Sequence, residues 1–248
     1  MCESLPLTGE RTVPGIPEEN YWFRRHEIAY LAITERYAGK SLLEAGSGEG
    51  YGAAMLAGAG ANVTALDYDE QAVAHVRAAY PQVRMLHGNL AELPLPDDAV
   101  DAVVNFQVIE HLWDQSQFLA EVARVLRPGG ELAISTPNRV TFSPGRDTPL
   151  NPFHTRELNS DELAELLDDV GLTVTEKLGV FHGSRLCDLD ARHGGSFIDA
   201  QIERSLAGEP WPDDLSRDVA DVIAADFDIR ADAPDSLDLL FYARKADG

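Results

Sequence analysis

The stretch SLLEAGSGEGYG (41–52) passes from an apolar run into a turn rich in glycine. Residues 41–46 have the length and apolar content of a short buried strand, and residues 51–59 are typical of a helix. Glycines at positions 46, 48 and 50 permit a tight turn and a close approach of the backbone to a ligand. The stretch predicts a strand–turn–helix unit. Taken by itself, a purely structural turn explains the glycines equally well.

Apolar runs and helical segments alternate along the chain on the C-terminal side of this unit. Strands are predicted at 61–67, 82–88, 101–107 and 131–137, and helices at 70–79 and 115–126. Strands separated by helices indicate βαβ units, and therefore an α/β fold with a parallel sheet. Farther along, we expect a helix at 160–170, a sixth strand at 173–182 and a last strand at 236–245.

The chain divides into four predicted segments. Residues 1–40 form an N-terminal arm and a cap helix, and residues 41–182 form a Rossmann-like core. Residues 183–231 make a connection longer than a normal loop, which we interpret as a lid or acceptor-binding insertion. Residues 232–248 return to the core as its last strand.

Acidic residues outnumber basic ones by 42 to 20, and the formal net charge is −22. Proteins that bind nucleic acid need a cationic surface, so we expect no nucleic-acid partner. Two cysteines, Cys2 and Cys187, are too few for a disulfide framework. The N-terminus lacks a signal-peptide pattern, and no apolar stretch approaches the roughly 18 residues needed to span a membrane. We expect a cytoplasmic protein without a membrane partner. The oligomeric state stays open, a homodimer included.

Asp67 ends the second predicted strand, at the sheet edge where open α/β folds bind ligands. A carboxylate at this position can accept hydrogen bonds from both hydroxyls of an adenosine ribose. A lone aspartate at a strand end is also a common helix cap. Nicotinamide dinucleotides bind with similar geometry, so other motifs must identify the ligand.

Four motifs follow one another across residues 41–138: LLEAGSGEG, ALDYD, GNLAELPLPDDAVDAVVNFQVIEHL and EVARVLRPGGELAISTPN. Together they resemble the successive motifs of class I S-adenosylmethionine (SAM)-dependent methyltransferases. This resemblance implies a Rossmann-like fold whose seven-stranded sheet has an antiparallel last strand. It also implies that SAM is the methyl donor.

The resemblance assigns two groups of residues to the SAM site. The methionine and ribose end would be held by Arg25, Gly46, Gly48, Gly50, Asp67 and Gln107. The adenine end would be contacted by Tyr68, Asn89 and Leu90, although the family often has aspartate where this chain has Asn89. Arg25 lies in ENYWFRRHEIAYL (19–31), and a guanidinium suits the SAM carboxylate because it can bind in a bidentate manner. The alternative for this segment is a cap helix without a ligand role.

Two loops at the same sheet edge carry residues suited to the methyl acceptor. The segment QVIEH (107–111) follows the fourth predicted strand, and SPGRDTPLNPFH (143–154) follows the fifth. We expect Glu110, His111 and His154 to converge there, as catalytic residues and as ligands of a divalent cation such as Mg²⁺. Alternatively, Glu110 caps a helix and the two histidines form only local hydrogen bonds. If no metal is bound, His111 or His154 would be the general base.

The three residues resemble the metal site of small-RNA 2′-O-methyltransferases and of quinone-pathway O-methyltransferases. The chain departs from the first of these patterns, because Gln107 stands where the family has its first glutamate. A neutral ligand in place of an anionic one implies a weaker, hydrated site of the Mg²⁺ type.

The segment VFHGSRLCDLDARHGGSFIDAQ (180–201) is dense in polar side chains. We predict that His182, Asp188, Arg192 and His193 bind a polyhydroxylated acceptor, because each hydroxyl of such a molecule needs a partner. The alternative is a solvated surface loop.

Nearly the whole chain resembles the sugar O-methyltransferases of mycobacterial methylmannose polysaccharide biosynthesis. The resemblance is carried by LTGERTVP (7–14), ENYWFRRHE (19–27), NFQVIEHLWDQ (105–115), TPNRVTFSPGRDTPLNPFHTREL (136–158) and DARHGGSFIDAQI (190–202). It implies a short 4-linked mannoside acceptor, methylated on the 1-hydroxyl of a 3-O-methylated reducing end. Two alternatives remain: an O-methyltransferase of a quinone or other secondary metabolite, and a SAM-binding module without catalysis.

Overall fold

The computed structural model describes residues 12–208, 210–231 and 233–247. Residues 1–11, which include Cys2 and most of the predicted N-terminal arm, lie outside the described residues. Within the described part, no helix is both long and apolar enough to cross a membrane.

A mixed sheet of eight strands forms the centre of the molecule, in the order β3-β2-β1-β4-β5-β8-β6-β7. The strands are β1 (Ser41–Ala45), β2 (Asn62–Asp67), β3 (Arg84–His87), β4 (Val100–Phe106), β5 (Leu126–Pro137), β6 (Leu172–His182), β7 (Phe227–Arg230) and β8 (Asp238–Lys245). Strands β1 to β5 pair in parallel, and β8 runs antiparallel to both β5 and β6. The Rossmann-like arrangement and the antiparallel last strand are therefore confirmed.

The expectation of seven strands is wrong, because β7 adds an eighth. Its residues Phe227–Arg230, which lie inside the segment predicted as the lid, pair with Gly179–His182 of β6. The sequence FDIR does alternate between apolar and charged residues, but four residues flanked by acidic ones are too few for the alternation to mark a strand. The segment 183–231, predicted as a lid or acceptor-binding insertion, therefore contributes one strand to the sheet.

Helices cover both faces of the sheet. They are α1 (Asn20–Ile33), α2 (Tyr51–Gly58), α3 (Glu70–Ala79), α4 (Gln115–Val125), α5 (Arg139–Phe142), α6 (Ser160–Asp169), α7 (Ser184–Arg192), α8 (Phe197–Ala207) and α9 (Asp213–Ala220). Several begin at side chains that cap free N–H groups, as the sequence indicates. Asp69 caps α3 and Asp114 caps α4, and Asn159 with Glu162 forms a capping box at α6.

Two apolar cores flank the sheet, and a third joins the lid to the cap helix. On one face of the sheet, Phe118 and Leu119 of α4 pack with Leu163 of α6. On the other face, side chains of α1, α2 and α3 are buried. In the third core, Tyr21 of α1 and Phe197 of α8 are fully buried. The lid is therefore anchored on the cap helix over much of its length.

A buried ion pair fixes α1 to the sheet. Arg25 Nε and Nη2 donate to the two carboxylate oxygens of Asp238, at 2.7 and 2.6 Å, and both side chains are almost fully buried. Burial would lower the pKa of Arg25, but the charge and hydrogen bonds of Asp238 raise it, so the guanidinium stays charged. Breaking such a pair leaves an uncompensated charge in the interior, which is far costlier than losing a surface pair.

We expect Asp238→Asn to lower the free energy of unfolding by about 3–5 kcal/mol, because it leaves the buried guanidinium without an anion. Urea denaturation followed by circular dichroism measures the change. Asp247→Asn is the matched control: Asp247 is 85% exposed and pairs loosely with Arg244, so its loss should stay below about 1 kcal/mol. Equal losses of unfolding free energy in the two variants would show that the buried pair stabilises the protein no more than an exposed pair does.

Candidate functional site

A cavity of about 1110 Å³ opens at the carboxyl ends of the parallel strands. It lies beside β1 and β4, where the strand order reverses direction from β3-β2-β1 to β4-β5. Such a switch point is the usual ligand site of open α/β sheets, because the loops from neighbouring strands diverge there. Residues from α1, from the loops after β1, β2, β4 and β5, and from α8 line it.

The glycine loop after β1 forms one wall of the cavity. Gly46, Gly48 and Gly50 have φ angles of 85°, 49° and 78°, in the left-handed region that favours glycine. A Cβ on Gly46 would meet the side chain of Val108 at 2.7 Å, whereas a Cβ on Gly48 would meet no atom within 4 Å. Gly48 therefore faces open space within the cavity lining, where a ligand can approach the backbone.

Asp67 lies next to this loop, as predicted. Its Oδ2 accepts a hydrogen bond from the Gly48 N–H at 2.8 Å, and its Oδ1 accepts one from the Asp69 N–H at 3.0 Å. A carboxylate offers about four acceptor positions, so two remain for ligand hydroxyls. The aspartate thus fixes the glycine loop and keeps the capacity to bind a ribose.

The structure separates the three residues predicted at the adenine end. Tyr68 and Leu90 line the cavity together with Asp67. Asn89 is absent from the lining, is exposed, and its amide oxygen accepts a hydrogen bond from the Ala91 N–H at 2.9 Å. The local turn occupies the side chain, so the structure lends no support to the predicted adenine contact of Asn89.

Arg25 and Gln107, predicted at the methionine end of SAM, also line the cavity. The third nitrogen of the Arg25 guanidinium, Nη1, is buried and has no hydrogen-bond partner, which leaves a charged donor for an anionic ligand group. Gln107 directly follows β4 and has a φ of 57°, unusual for a residue with a side chain. Its backbone N–H donates to the Ser135 carbonyl at 2.8 Å, which holds this strained position in place.

His26 and Trp22 also line the cavity, although neither was predicted from the sequence. Burial lowers the pKa of His26 to about 4, so its imidazole is neutral near pH 7. Trp22, Arg25 and His26 are spaced three and four residues apart, which places them on one face of α1. That spacing is the signal that would have identified both residues from the sequence.

Glu110, His111 and His154 converge, as predicted. Each offers a ligand atom, and these atoms all lie within 4.8 Å of one another. The two imidazole rings meet edge to face with their centroids 4.9 Å apart. Burial raises the pKa of Glu110, while both histidines act in the opposite direction, and Thr136 Oγ1 donates to its carboxylate at 2.9 Å.

Neighbouring groups fix the tautomers of both histidines. Nδ1 of His111 donates to the carbonyl oxygen of Phe153 at 3.0 Å, and Nδ1 of His154 donates to Glu157 Oε1 at 2.7 Å. Each Nε2 then carries the lone pair, as in imidazoles that bind metal ions or accept protons. The Asn151 amide lies 3.2 Å from Nε2 of His154. A cation or an acceptor hydroxyl would replace that contact.

Glu157 was missed in the sequence analysis because it does not line the cavity and acts through His154. It is almost fully buried, and one of its oxygens, Oε2, has no hydrogen-bond partner. The spacing of three residues between His154 and Glu157 is a weak signal by itself. It becomes informative once His154 is placed at the site.

The loops that carry Glu110, His111 and His154, called the triad below, are joined to each other. The N–H of Thr155 donates to the Glu110 carbonyl at 2.7 Å, and its hydroxyl donates to the Leu112 carbonyl at 2.7 Å. The buried Gln115 amide donates to the carbonyls of Ile109 and Arg156. These bonds hold Glu110, His111 and His154 in one arrangement.

The four polar residues predicted to bind the acceptor do not line the cavity. Nδ1 of His182 donates to Asp190 at 2.7 Å, and its Nε2 lies 2.7 Å from the Tyr21 hydroxyl. Arg192 and His193 both bind Asp218, and Asp188 is exposed on α7. Three of the four side chains therefore bond to residues that do not line the cavity. The lid contributes Ile202, Ser205 and Leu206 of α8 to the cavity instead.

Similar proteins place this geometry in a known family. A family model described as a methyltransferase domain matches residues 43–134. A "probable S-adenosylmethionine-dependent methyltransferase" of Mycolicibacterium smegmatis is 63% identical over 244 residues, covering 97% of this chain and 95% of that protein. A protein of the same description from Mycobacterium tuberculosis is 61% identical over 244 residues, covering 96% of this chain and 89% of that protein.

Solved structures share the fold at low identity. A SAM-dependent methyltransferase of Thermotoga maritima superposes with a TM-score of 0.61 at 17% identity, covering 90% of this chain and 93% of that one. The [4+2]-cyclase SpnF superposes with a TM-score of 0.61 at 21% identity, covering 90% of this chain and 81% of that one. A cyclase on the same fold shows that architecture does not determine the reaction. The close relatives do establish the family: this chain belongs to the S-adenosylmethionine-dependent methyltransferases.

Proposed function

We propose that this methyltransferase transfers the SAM methyl group to a sugar hydroxyl. The acceptor we propose is a short 4-linked mannoside with a 3-O-methylated reducing end, methylated on its 1-hydroxyl during methylmannose polysaccharide synthesis. The observation that carries an oxygen acceptor is the cluster of Glu110, His111 and His154 in the same cavity as the glycine loop and Asp67. The proposed identity of the sugar rests on the sequence resemblance.

An alcohol needs help with its proton before it can displace a thioether from a sulfonium. The hydroxyl oxygen forms a bond to the methyl carbon, the carbon–sulfur bond breaks, and S-adenosylhomocysteine leaves as a neutral thioether. In the absence of a bound cation, Nε2 of His154 or of His111 would accept the hydroxyl proton, and for His154 the carboxylate of Glu157 on Nδ1 would stabilise the imidazolium. Because the donor is already activated, the remaining task of the protein is to position the two reactants.

The donor set of the triad fits a divalent cation, for which we propose a weakly held, hydrated ion of the Mg²⁺ type. Two imidazoles with a free Nε2 and one carboxylate would hold the ion through Glu110, His111 and His154. When bound, such an ion would lower the pKa of an acceptor hydroxyl. The hydrogen bonds from His111 to the Phe153 carbonyl and from His154 to Glu157 have the pattern of outer-sphere partners at metal sites.

An uncharged quinol or another secondary metabolite is the second candidate acceptor. It is favoured by the lid residues of the cavity, since Ile202 and Leu206 are apolar. Nucleic acid is disfavoured as an acceptor by the net charge of −22 and by a lining with four carboxylates and one arginine among its described residues.

Radiolabelled SAM and a panel of acceptors separate these proposals. We expect label transfer to the 3-O-methylated mannoside, located on the 1-oxygen by mass spectrometry and NMR, and none to glucosides, quinols or RNA. Transfer to a quinol would replace the sugar with the second candidate. Binding of SAM without release of S-adenosylhomocysteine for any acceptor of the panel would indicate a SAM-binding module without catalysis.

We expect Asp67→Ala to weaken SAM binding at least about tenfold, because hydrogen bonds to a charged group contribute roughly 1.5–3 kcal/mol each. Isothermal titration calorimetry measures the affinity, and circular dichroism checks that the fold is kept. Asp97→Ala is the matched control, because Asp97 is 76% exposed and pairs with Arg124 away from the cavity. Unchanged SAM affinity in Asp67→Ala would disprove the ribose assignment.

We expect His154→Ala to lower turnover by at least about a hundredfold, the usual contribution of a general base, while SAM affinity is kept. Chelation should abolish activity reversibly if the cation is required, with Mg²⁺ or Mn²⁺ restoring it. His193→Ala is the control, because His193 binds Asp218 outside the cavity lining.

The two treatments give separable outcomes. Full activity after chelation, together with an inactive His154→Ala, would assign the histidine as a metal-independent base. Active His111→Ala and His154→Ala variants would remove both roles and redirect the search to His182 and His193.

We expect hydrogen exchange in α8, near Ile202 and Leu206, to fall when S-adenosylhomocysteine and the mannoside bind together. This half of the helix is exposed and faces the cavity, so closure over the acceptor would protect it. Exchange in α9, which packs on α1, should stay constant. Equal exchange of α8 in the free and ternary states would make the insertion purely structural.

A further inference from the structure

Exposed apolar side chains cluster at the mouth of the cavity. Seven large hydrophobic residues are exposed in the described part of the chain, and four of them line this one cavity. Tyr68 belongs to the proposed SAM end. The other three are Trp113, Phe153 and Leu206, with exposed fractions of 93%, 44% and 81%. Apolar groups left in water around a cavity are a sign of a partner that covers them.

Two of these residues are attached directly to the triad. Trp113 lies two positions after His111, and Phe153 precedes His154. The Phe153 carbonyl accepts the hydrogen bond from His111, and Thr155 links both loops through its bonds to Glu110 and Leu112. The backbone that carries the indole and the phenyl ring is therefore tied to the proposed reacting centre.

The charges of the lining disfavour an anionic acceptor. Among the described residues that line the cavity there is one arginine and no lysine, against the carboxylates of Glu19, Glu49, Asp67 and Glu110. The arginine, Arg25, is already paired with Asp238. A carboxylate or phosphate on the acceptor would be repelled by these four carboxylates, so the lining favours an acceptor that is uncharged near the reacting group.

We propose that Trp113, supported by Phe153, is a stacking platform for the acceptor ring next to the one that is methylated. This inference rests on the proposed function, since it concerns the same acceptor. A pyranose has a polar rim and an apolar face of C–H groups, and an indole offers a large rigid surface to that face at low entropic cost. The platform selects uncharged acceptors of at least two rings.

Acceptor length is the readout that tests the platform. Trp113→Ala should raise KM about tenfold for the 4-linked disaccharide of 3-O-methylmannose, a typical loss for an aromatic contact residue. KM for the monosaccharide, kcat and SAM affinity should stay nearly constant, and Trp113→Phe should recover part of the loss. Ile223→Ala, at a residue 53% exposed and outside the cavity lining, is the control. Equal KM changes for the two sugars, or none for either, would overturn the proposal.

Fluorescence tests the platform without turnover. In a Trp22→Phe/Trp211→Phe variant, Trp113 is the remaining tryptophan, and its exposed indole should shift to the blue when the disaccharide binds beside S-adenosylhomocysteine. A blue shift without methyl transfer would keep the platform and refute the proposed reaction. Calorimetry that detects no disaccharide binding, or binding that leaves the emission unchanged, would refute the platform.

Discussion

The buried pair of Arg25 and Asp238 is the constraint on which the other parts of the molecule depend. Two buried charges must stay fully paired, so the cap helix has one allowed position relative to the start of β8. That position leaves Nη1 of Arg25 unpartnered beside the cavity. One turn earlier, the Tyr21 hydroxyl donates to His182, which in turn binds Asp190 of the lid. The cap helix thereby aligns sheet, cavity and lid through side chains on one segment.

The acidic lining is consistent with a cationic methyl donor. A sulfonium is attracted by carboxylates such as Glu49 and Asp67, whereas the thioether product has lost that charge. The electrostatic contribution to donor binding therefore falls when the methyl group leaves. Such a change favours release of the product over retention, and it requires no movement of the protein.

How far the sequence predicts the site depends on how each residue reaches it. Asp67, Glu110 and His111 follow strands directly, so their positions follow from the order of the parallel sheet. His26 and Glu157 reach the site through a helix face and through another side chain, which only the folded structure shows. His182 and His193 bond to Asp190 and Asp218 outside the cavity lining, and the density of polar groups in a sequence does not reveal such pairing. The strand β7 was missed because FDIR is short and half charged.

Both edges of the sheet end in strands of four residues. β3 at one edge contains Arg84 and His87, and β7 at the other contains Asp228 and Arg230. Without β7, the eleven-residue strand β6 would offer its whole length to another chain. With it, Gly179–His182 is covered, and the remainder exposes Glu176 and Lys177. Short, charged edges resist pairing between molecules, so the added strand protects the protein against aggregation at high concentration.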